Sequence, residues 1–89
     1  MDKFEVILAS EALKFYKHCP AGLAERLNRC LEALESNPFF GPHIKRLRDE
    51  EKRYRYRIGD YRVIYTIDKE SKKVVVTLIA PRPSAYRGF

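Results

Sequence analysis

Two periodicities divide the chain into helices and strands. In the first half, apolar residues return every three or four positions, as they do along one side of a helix. The pattern predicts a helix over Ala21–Ser36 and an earlier one over Glu11–His18, with Pro20 interrupting them. Ser10 is the expected N-cap of the earlier helix. The core stripe of the second helix is Leu23, Leu27, Cys30, Leu31 and Leu34.

The second half alternates between apolar and polar residues, which is typical of strands. Strands are predicted at about Arg53–Ile58, Tyr61–Asp68 and Lys73–Ala80. Gly59-Asp60 separates the first two, and a dipeptide led by glycine favours a tight hairpin turn. The last strand is apolar at nearly every position, as expected inside a sheet. A further strand over Lys3–Ala9 could pair beside it.

These elements predict one α+β domain over residues 1–89. Its small antiparallel-type sheet, an N-terminal strand plus a three-strand meander, is packed against an N-terminal helical hairpin. The helices should cover one sheet face and leave the other, or an edge of it, to arginines. The highly charged segment Ile44–Lys52 is expected at the surface.

The charge is uneven along the chain. The net charge is +6 at pH 7, and residues 45–62 hold eight basic side chains against four acidic ones. This excess favours an anionic partner, whether a nucleic acid, an acidic protein or a membrane surface.

The apolar stretch near the N-terminus is too short for a signal peptide or a membrane span, so a soluble cytoplasmic protein is expected. Cys19 and Cys30 form no CxxC pair and are expected to be free thiols.

Arginine alternates with apolar or aromatic residues from Arg53 to Ile58, and successive strand residues point to opposite faces. Arg53, Arg55 and Arg57 therefore form a cationic row, and the hairpin returns Arg62 beside it. Guanidinium groups bind phosphate in a bidentate manner, so the row is interpreted as an RNA-binding face. The alternative is a solvated strand face that protects a sheet edge. Tyrosines available for stacking on unpaired bases are Tyr61, Tyr65 and Tyr86.

The C-terminal segment either docks or frays. Pro81 and Pro83 restrict the backbone around Arg82, which lowers the entropic cost of presenting its guanidinium.

Other chemistries have little support in the sequence. His18 and His43 have no partner at ligand spacing, so no metal is expected, and no glycine-rich phosphate loop or Ser/His/Asp set suggests a cofactor or a hydrolase.

Three segments carry a resemblance to a known family. They are Tyr56–Tyr65 (YRIGDYRVIY), the preceding Ile44–Leu47, and the closing Arg82 with Tyr86-Arg87. Together they resemble the RelE/ParE superfamily of toxin–antitoxin toxins, and the order of elements is similar across essentially the whole chain. The superfamily includes toxins that cut messenger RNA, toxins that poison gyrase, and inactive members. The segment Tyr56–Tyr65 is therefore more specific to the superfamily than to any one activity.

The resemblance to the RelE branch implies a ribosome-dependent endoribonuclease that cuts mRNA in the A site. It assigns Arg62 and Arg82 to the scissile phosphate and Tyr86 to stacking on the nucleotide. Arg53 and Arg55 fall where well-studied members carry lysines, one of which is a candidate general base. Arginine remains protonated, so it stabilises charge but accepts protons poorly. Arg55 therefore joins the catalytic set as a charge-stabilising group, and the general base stays open.

The expected RNA contacts are Lys45, Arg46, Arg53, Arg57, Tyr61 and Arg87. The expected partners are the ribosome, mRNA and a cognate antitoxin, whose acidic or amphipathic segment would cover the cationic face. No membrane and no small-molecule cofactor are expected. Two alternatives remain open: a gyrase-directed ParE-type toxin, and an inactive homologue that acts only as a binding module.

Overall fold

The computed structural model describes residues 3–48 and 52–82. It confirms the α+β class, with two helices and a five-stranded sheet. In chain order the elements are β1 (Glu5–Leu8), α1 (Ser10–His18), α2 (Ala21–Ser36), β2 (Ile44–Arg46), β3 (Tyr54–Ile58), β4 (Tyr61–Asp68) and β5 (Lys73–Pro81). No helix among the described residues is long and apolar enough to cross a membrane.

The strands lie in the order β1-β5-β4-β3-β2. The prediction that the last strand lies inside the sheet, with the first strand beside it, is confirmed. β1 runs parallel to β5, whereas the other neighbours pair antiparallel. The sheet is therefore mixed rather than wholly antiparallel.

Strand β2 is an addition to the predicted elements, because the charged segment that contains it gave no strand pattern. It has only three residues and pairs at the sheet edge with β3. Ile44 packs against the core, whereas Lys45 and Arg46 are exposed, as is common for edge strands.

The prediction that Ser10 is the N-cap of α1 was wrong. Ser10 is the first residue of the helix, and Ala9 holds the cap position without a side-chain hydrogen bond.

The main core lies between the helices and one sheet face. The predicted stripe of α2 supplies Leu23, Leu27, Cys30 and Leu34, all at most 8% exposed. Sheet residues on this side include Tyr56, Val63 and Tyr65. The opposite face has a smaller apolar cluster, which consists of Ile64 and Ala80 with Leu47 and Leu78 packed against it. The central strand β4 is consequently buried on both faces.

Two buried side chains add polar chemistry to this core. The Tyr65 hydroxyl donates a hydrogen bond of 2.7 Å to the carbonyl of Pro38, which ties the loop after α2 to the sheet. Cys19 and Cys30 are both free thiols, as predicted. Burial raises the pKa of the Cys30 thiol to about 12, so it stays protonated and unreactive at neutral pH.

The β3–β4 hairpin positions the basic side chains. Gly59 adopts φ of +54°, a left-handed conformation that favours glycine, in the predicted turn. The resulting register places Arg57 directly opposite Arg62. This confirms the prediction that the turn returns Arg62 to the arginine row.

Candidate anion-binding site

A basic cavity lies on the sheet face opposite the helices. It has a volume of about 390 Å³ and is called here the arginine cavity. Its lining consists of Lys45, Leu47, Arg55, Arg57, Arg62 and Arg82. Five of these six side chains are cationic, and the described lining contains no carboxylate. A concave surface of one charge sign concentrates its field on an incoming anion.

Strand register explains how residues distant in sequence share this cavity. Lys45 of β2 lies opposite Arg55 of β3, and Arg57 lies opposite Arg62 of β4. Arg82 directly follows β5, and its backbone N–H donates a 2.8 Å hydrogen bond to the carbonyl of Asp60 in the hairpin turn. The β3–β4 hairpin thus fixes Arg57 and Arg62 by strand pairing and Arg82 by this hydrogen bond.

Arg62 is the most constrained cation of the cavity. Its side chain is only 7% exposed, and Nη1 donates to the carbonyls of Gly59 and Tyr61 at 2.8 and 2.9 Å. Its Nε is buried and has no hydrogen-bond partner among the described residues. Buried donors are nearly always paired in proteins, so an unpaired one calls for an explanation such as a bound ion, a water molecule or a catalytic role. An anion in the cavity would compensate both the charge and the donor.

Arg55 is held from the opposite wall. Its Nη1 donates to the carbonyl of His43 at 3.3 Å, and the same carbonyl accepts the backbone N–H of Arg57 at 2.9 Å. The loop before β2 therefore orients Arg55 and fixes the backbone of Arg57. Arg57 itself is exposed and reaches solvent at the end of β3.

Three predicted RNA contacts and one predicted catalytic residue lie elsewhere or cannot be placed. Arg46 lines a separate depression beside Lys52 and Tyr54. Arg53 is absent from the described lining of the arginine cavity. Tyr86 and Arg87 lie outside the described residues, so their roles stay predictions.

The two tyrosines of β4 are not positioned to stack on RNA in this cavity. Tyr65 is 0% exposed, so the expectation that it is available to bases was wrong. Tyr61 lies on the helix-covered side, where its ring is tilted against Phe15 with centroids 5.8 Å apart. Because the side chains of a strand alternate between its two faces, both tyrosines lie on the sheet face opposite to that of Arg62.

A second basic cavity was missed from the sequence. It has a volume of about 530 Å³ and is called here the helix-side cavity, since α2 forms one wall. Arg26 and Arg29 of α2, Arg57 of β3 and His43 of the loop before β2 contribute to its lining. The available signal was the three-residue spacing of Arg26 and Arg29, which places both on one side of a helix.

The described residues show no metal centre: nowhere in 3–48 or 52–82 are three His, Cys, Asp or Glu side chains grouped to hold an ion. What the arginine cavity can do is bind a phosphate group and stabilise negative charge that develops on it. Its arginines cannot accept a proton.

Comparisons with known proteins show what the chain is similar to. A family model described as the ParE toxin of a type II toxin–antitoxin system, parDE, matches residues 6–83. A protein from Methanocaldococcus jannaschii named "Putative toxin RelE1" is 31% identical over 87 residues, which cover 96% of this chain and 97% of that protein.

Solved structures show the same fold. The archaeal RelE–RelB complex from Pyrococcus horikoshii matches with a TM-score of 0.76 and 26% identity, over 89% of this chain and 94% of that one. The intact E. coli RelBE toxin–antitoxin complex matches with a TM-score of 0.77 and 20% identity, over 88% and 95% of the two chains. At 20% identity, the likeness concerns the fold alone.

Proposed function

Because this chain belongs to the RelE/ParE family of type II toxin–antitoxin toxins, we propose that it is a ribosome-dependent endoribonuclease that cuts mRNA in the A site. The carrying observation is the arginine cavity, and within it the buried guanidinium of Arg62 with its unpaired Nε. A cavity with five cationic side chains in its lining suits a reaction whose transition state gains negative charge on a phosphate.

In the proposed reaction, the ribose 2′-hydroxyl attacks the adjacent phosphate and the 5′ oxygen leaves. Arg62 and Arg82 hold the phosphate, and Arg55 adds positive charge near the dianionic phosphorane. Because Arg62 is fixed by two carbonyls before substrate binds, little reorganisation is needed during the reaction. Loss of one such contact is expected to slow cleavage by about 10²–10³-fold. Tyr86 is proposed to stack on the nucleotide.

The proton from the 2′-hydroxyl must pass to another group than these arginines. The family resemblance leads us to expect lysines at the positions of Arg53 and Arg55. Both arginines stay protonated. Two roles are therefore divided between different groups. The arginine cavity supplies phosphate binding and charge stabilisation, and the proton acceptor is a different group of the assembled complex.

A cognate antitoxin is proposed as the regulatory partner. Both solved structures compared above are complexes of a RelE toxin with its RelB antitoxin. An acidic segment laid over the arginine cavity would neutralise the charges that bind RNA phosphate. Charge reversal at both Arg55 and Arg62 should then abolish the complex in a pull-down, and persistent binding would contradict this arrangement.

The activity is tested by mapping 5′ ends of a defined mRNA after incubation with the protein, with and without translating ribosomes. Arg82→Ala probes the phosphate contact, and Lys17→Ala on the exposed part of α1 serves as the matched loss of one charge. Cuts that require ribosomes, weaken in Arg82→Ala and persist in Lys17→Ala would support the proposal. Absence of cuts under both conditions would refute it.

The second candidate is a gyrase-directed toxin, which the name of the matching family model favours. In that case the arginine cavity would serve partner binding alone. Supercoiling by purified gyrase should then fall when the protein is added, while mRNA remains uncut. Full supercoiling in the presence of the protein would remove this candidate.

A further inference from the structure

The helix-side cavity has the composition of a second anion site. Its volume of about 530 Å³ falls in the range of about 300–1,000 Å³ usual for ligand sites. Arg26 and Arg29 project from one side of α2, and Arg57 approaches from β3. The described lining contains three guanidinium groups and no carboxylate. Like charges gathered in one cavity repel each other, and a bound anion would relieve that repulsion.

The glycine in the β3–β4 turn leaves room for the side chain of Arg26 beside the hairpin. Its Nη2 lies 2.7 Å from the position that a Cβ on Gly59 would occupy. Any larger residue at the turn would push this guanidinium away. The absence of a side chain at Gly59 thus lets α2 present a cation directly beside the β3–β4 turn.

The cavity also has an aromatic wall. The His43 ring is tilted against the Tyr56 ring, with centroids 5.5 Å apart and an angle of 42° between their planes. Both residues line the cavity. Basic side chains combined with stacking rings are the usual means of binding single-stranded nucleic acid. An acidic peptide would use the arginines but would have no need of the rings.

Arg57 joins the two cavities, since it lines both. Strand β2 begins at Ile44, opposite Tyr56, so Arg57 lies just beyond the part of β3 that pairs with β2. Its backbone N–H is bonded to the carbonyl of His43, whereas its exposed side chain borders both cavities. One extended strand of RNA could therefore pass from the arginine cavity around the edge to the helix-side cavity.

We propose that the helix-side cavity binds a second phosphate of the same RNA strand, with a neighbouring base placed against His43 and Tyr56. This inference rests on the proposed function, in which the arginine cavity holds the scissile phosphate. Arg26 and Arg29 would then set how much RNA flanking the cut is bound, without touching the reacting atoms.

The test measures binding of fluorescein-labelled 2′-O-methyl RNAs of two to six nucleotides to the purified protein, without ribosomes. These probes cannot be cut, because the attacking hydroxyl is blocked. Arg26→Ala with Arg29→Ala is compared with Lys14→Ala with Lys17→Ala, which removes the same charge from α1. Arg62→Met serves as the variant of the arginine cavity.

For the parent and the α1 control, affinity should rise with RNA length. The α2 double variant should lose this gain, bind the hexanucleotide about tenfold more weakly, and reduce the slope of log K against log salt by about 0.7 for the one lost phosphate contact. Its affinity for the dinucleotide should be unchanged. Arg62→Met should weaken binding at every length.

Equal hexanucleotide affinity and salt slope in the α2 variant and the α1 control would overturn the inference. So would unchanged RNA binding combined with loss of binding to an oligo-glutamate peptide, which would assign the cavity to a protein partner. If the α2 double variant fails to fold, Arg29→Gln alone replaces it in the same series. Length-dependent binding lost in the α2 variant, without cuts in the ribosome assay, would refute only the proposed cleavage.

Discussion

Replacement of Arg62 by methionine should remove most cleavage while it leaves the fold intact. Arg62 is 7% exposed and is held by the carbonyls of Gly59 and Tyr61. Methionine is unbranched and flexible, so it can fill the path of the arginine side chain. The change thus removes the charge and the donors without opening a large cavity.

The effect on stability combines two opposing contributions. Two hydrogen bonds from a charged donor are lost, each worth about 1.5–3 kcal/mol. The buried charge and its repulsion with neighbouring arginines are removed too, which recovers several kcal/mol of desolvation. These contributions largely offset each other, so the free energy of unfolding should change by less than about 2 kcal/mol. Cleavage should nevertheless fall by about 10²–10³-fold.

The assay pairs single-turnover cleavage of a defined mRNA on programmed ribosomes with thermal unfolding followed by circular dichroism. Lys17→Met is the exposed control and should change neither measurement. Arg62→Lys should retain part of the activity, since it keeps the charge but loses the planar fork. Cleavage by Arg62→Met within about tenfold of the parent would refute the assignment, because it is below the loss expected for a transition-state contact.

Two further predictions concern the core. Tyr65→Phe leaves the Pro38 carbonyl without its donor and should lower the free energy of unfolding by about 1–2 kcal/mol, with Tm reduced by about 4–8 °C per kcal/mol; Tyr16→Phe, which loses an exposed bond to Asn28, is the control, and equal Tm losses would contradict the argument. Burial raises the pKa of Cys30 to about 12, so between pH 9 and that value the unfolded thiol loses its proton first and stability falls by about 1.4 kcal/mol per pH unit. Cys30→Ala should flatten this dependence in urea unfolding at pH 9–11, and an unchanged slope would contradict the cause.

Most of the fold was predictable because its periodicities are long. The stripe of α2 and the alternation of β3 each continue over several residues, and both place the expected side chains in the core. The turn at Gly59 was predictable from its position between two alternating runs. Together these signals also predicted that Arg62 returns beside Arg57.

The remainder depends on contacts that a local pattern does not contain. Strand β2 spans only Ile44–Arg46, which is too short to show a period, and it exists because β3 offers a free edge. Tyr65 was expected to be available for stacking, but β4 occupies the middle of the sheet and is covered on both faces. The helix-side cavity joins α2 to β3, so no single stretch of sequence displays it.

The parallel pairing of β1 with β5 makes completion of the sheet depend on the last strand of the described residues. The helices and the β3–β4 hairpin involve contacts near in sequence and can form early, whereas the first and last strands must meet across almost the whole chain. β5 also leads directly into Arg82, which completes the arginine cavity. A nascent chain that stops before Lys73 therefore lacks both the complete sheet and the full phosphate site. The same strand thus delays the proposed toxic surface until β5 itself has been synthesised.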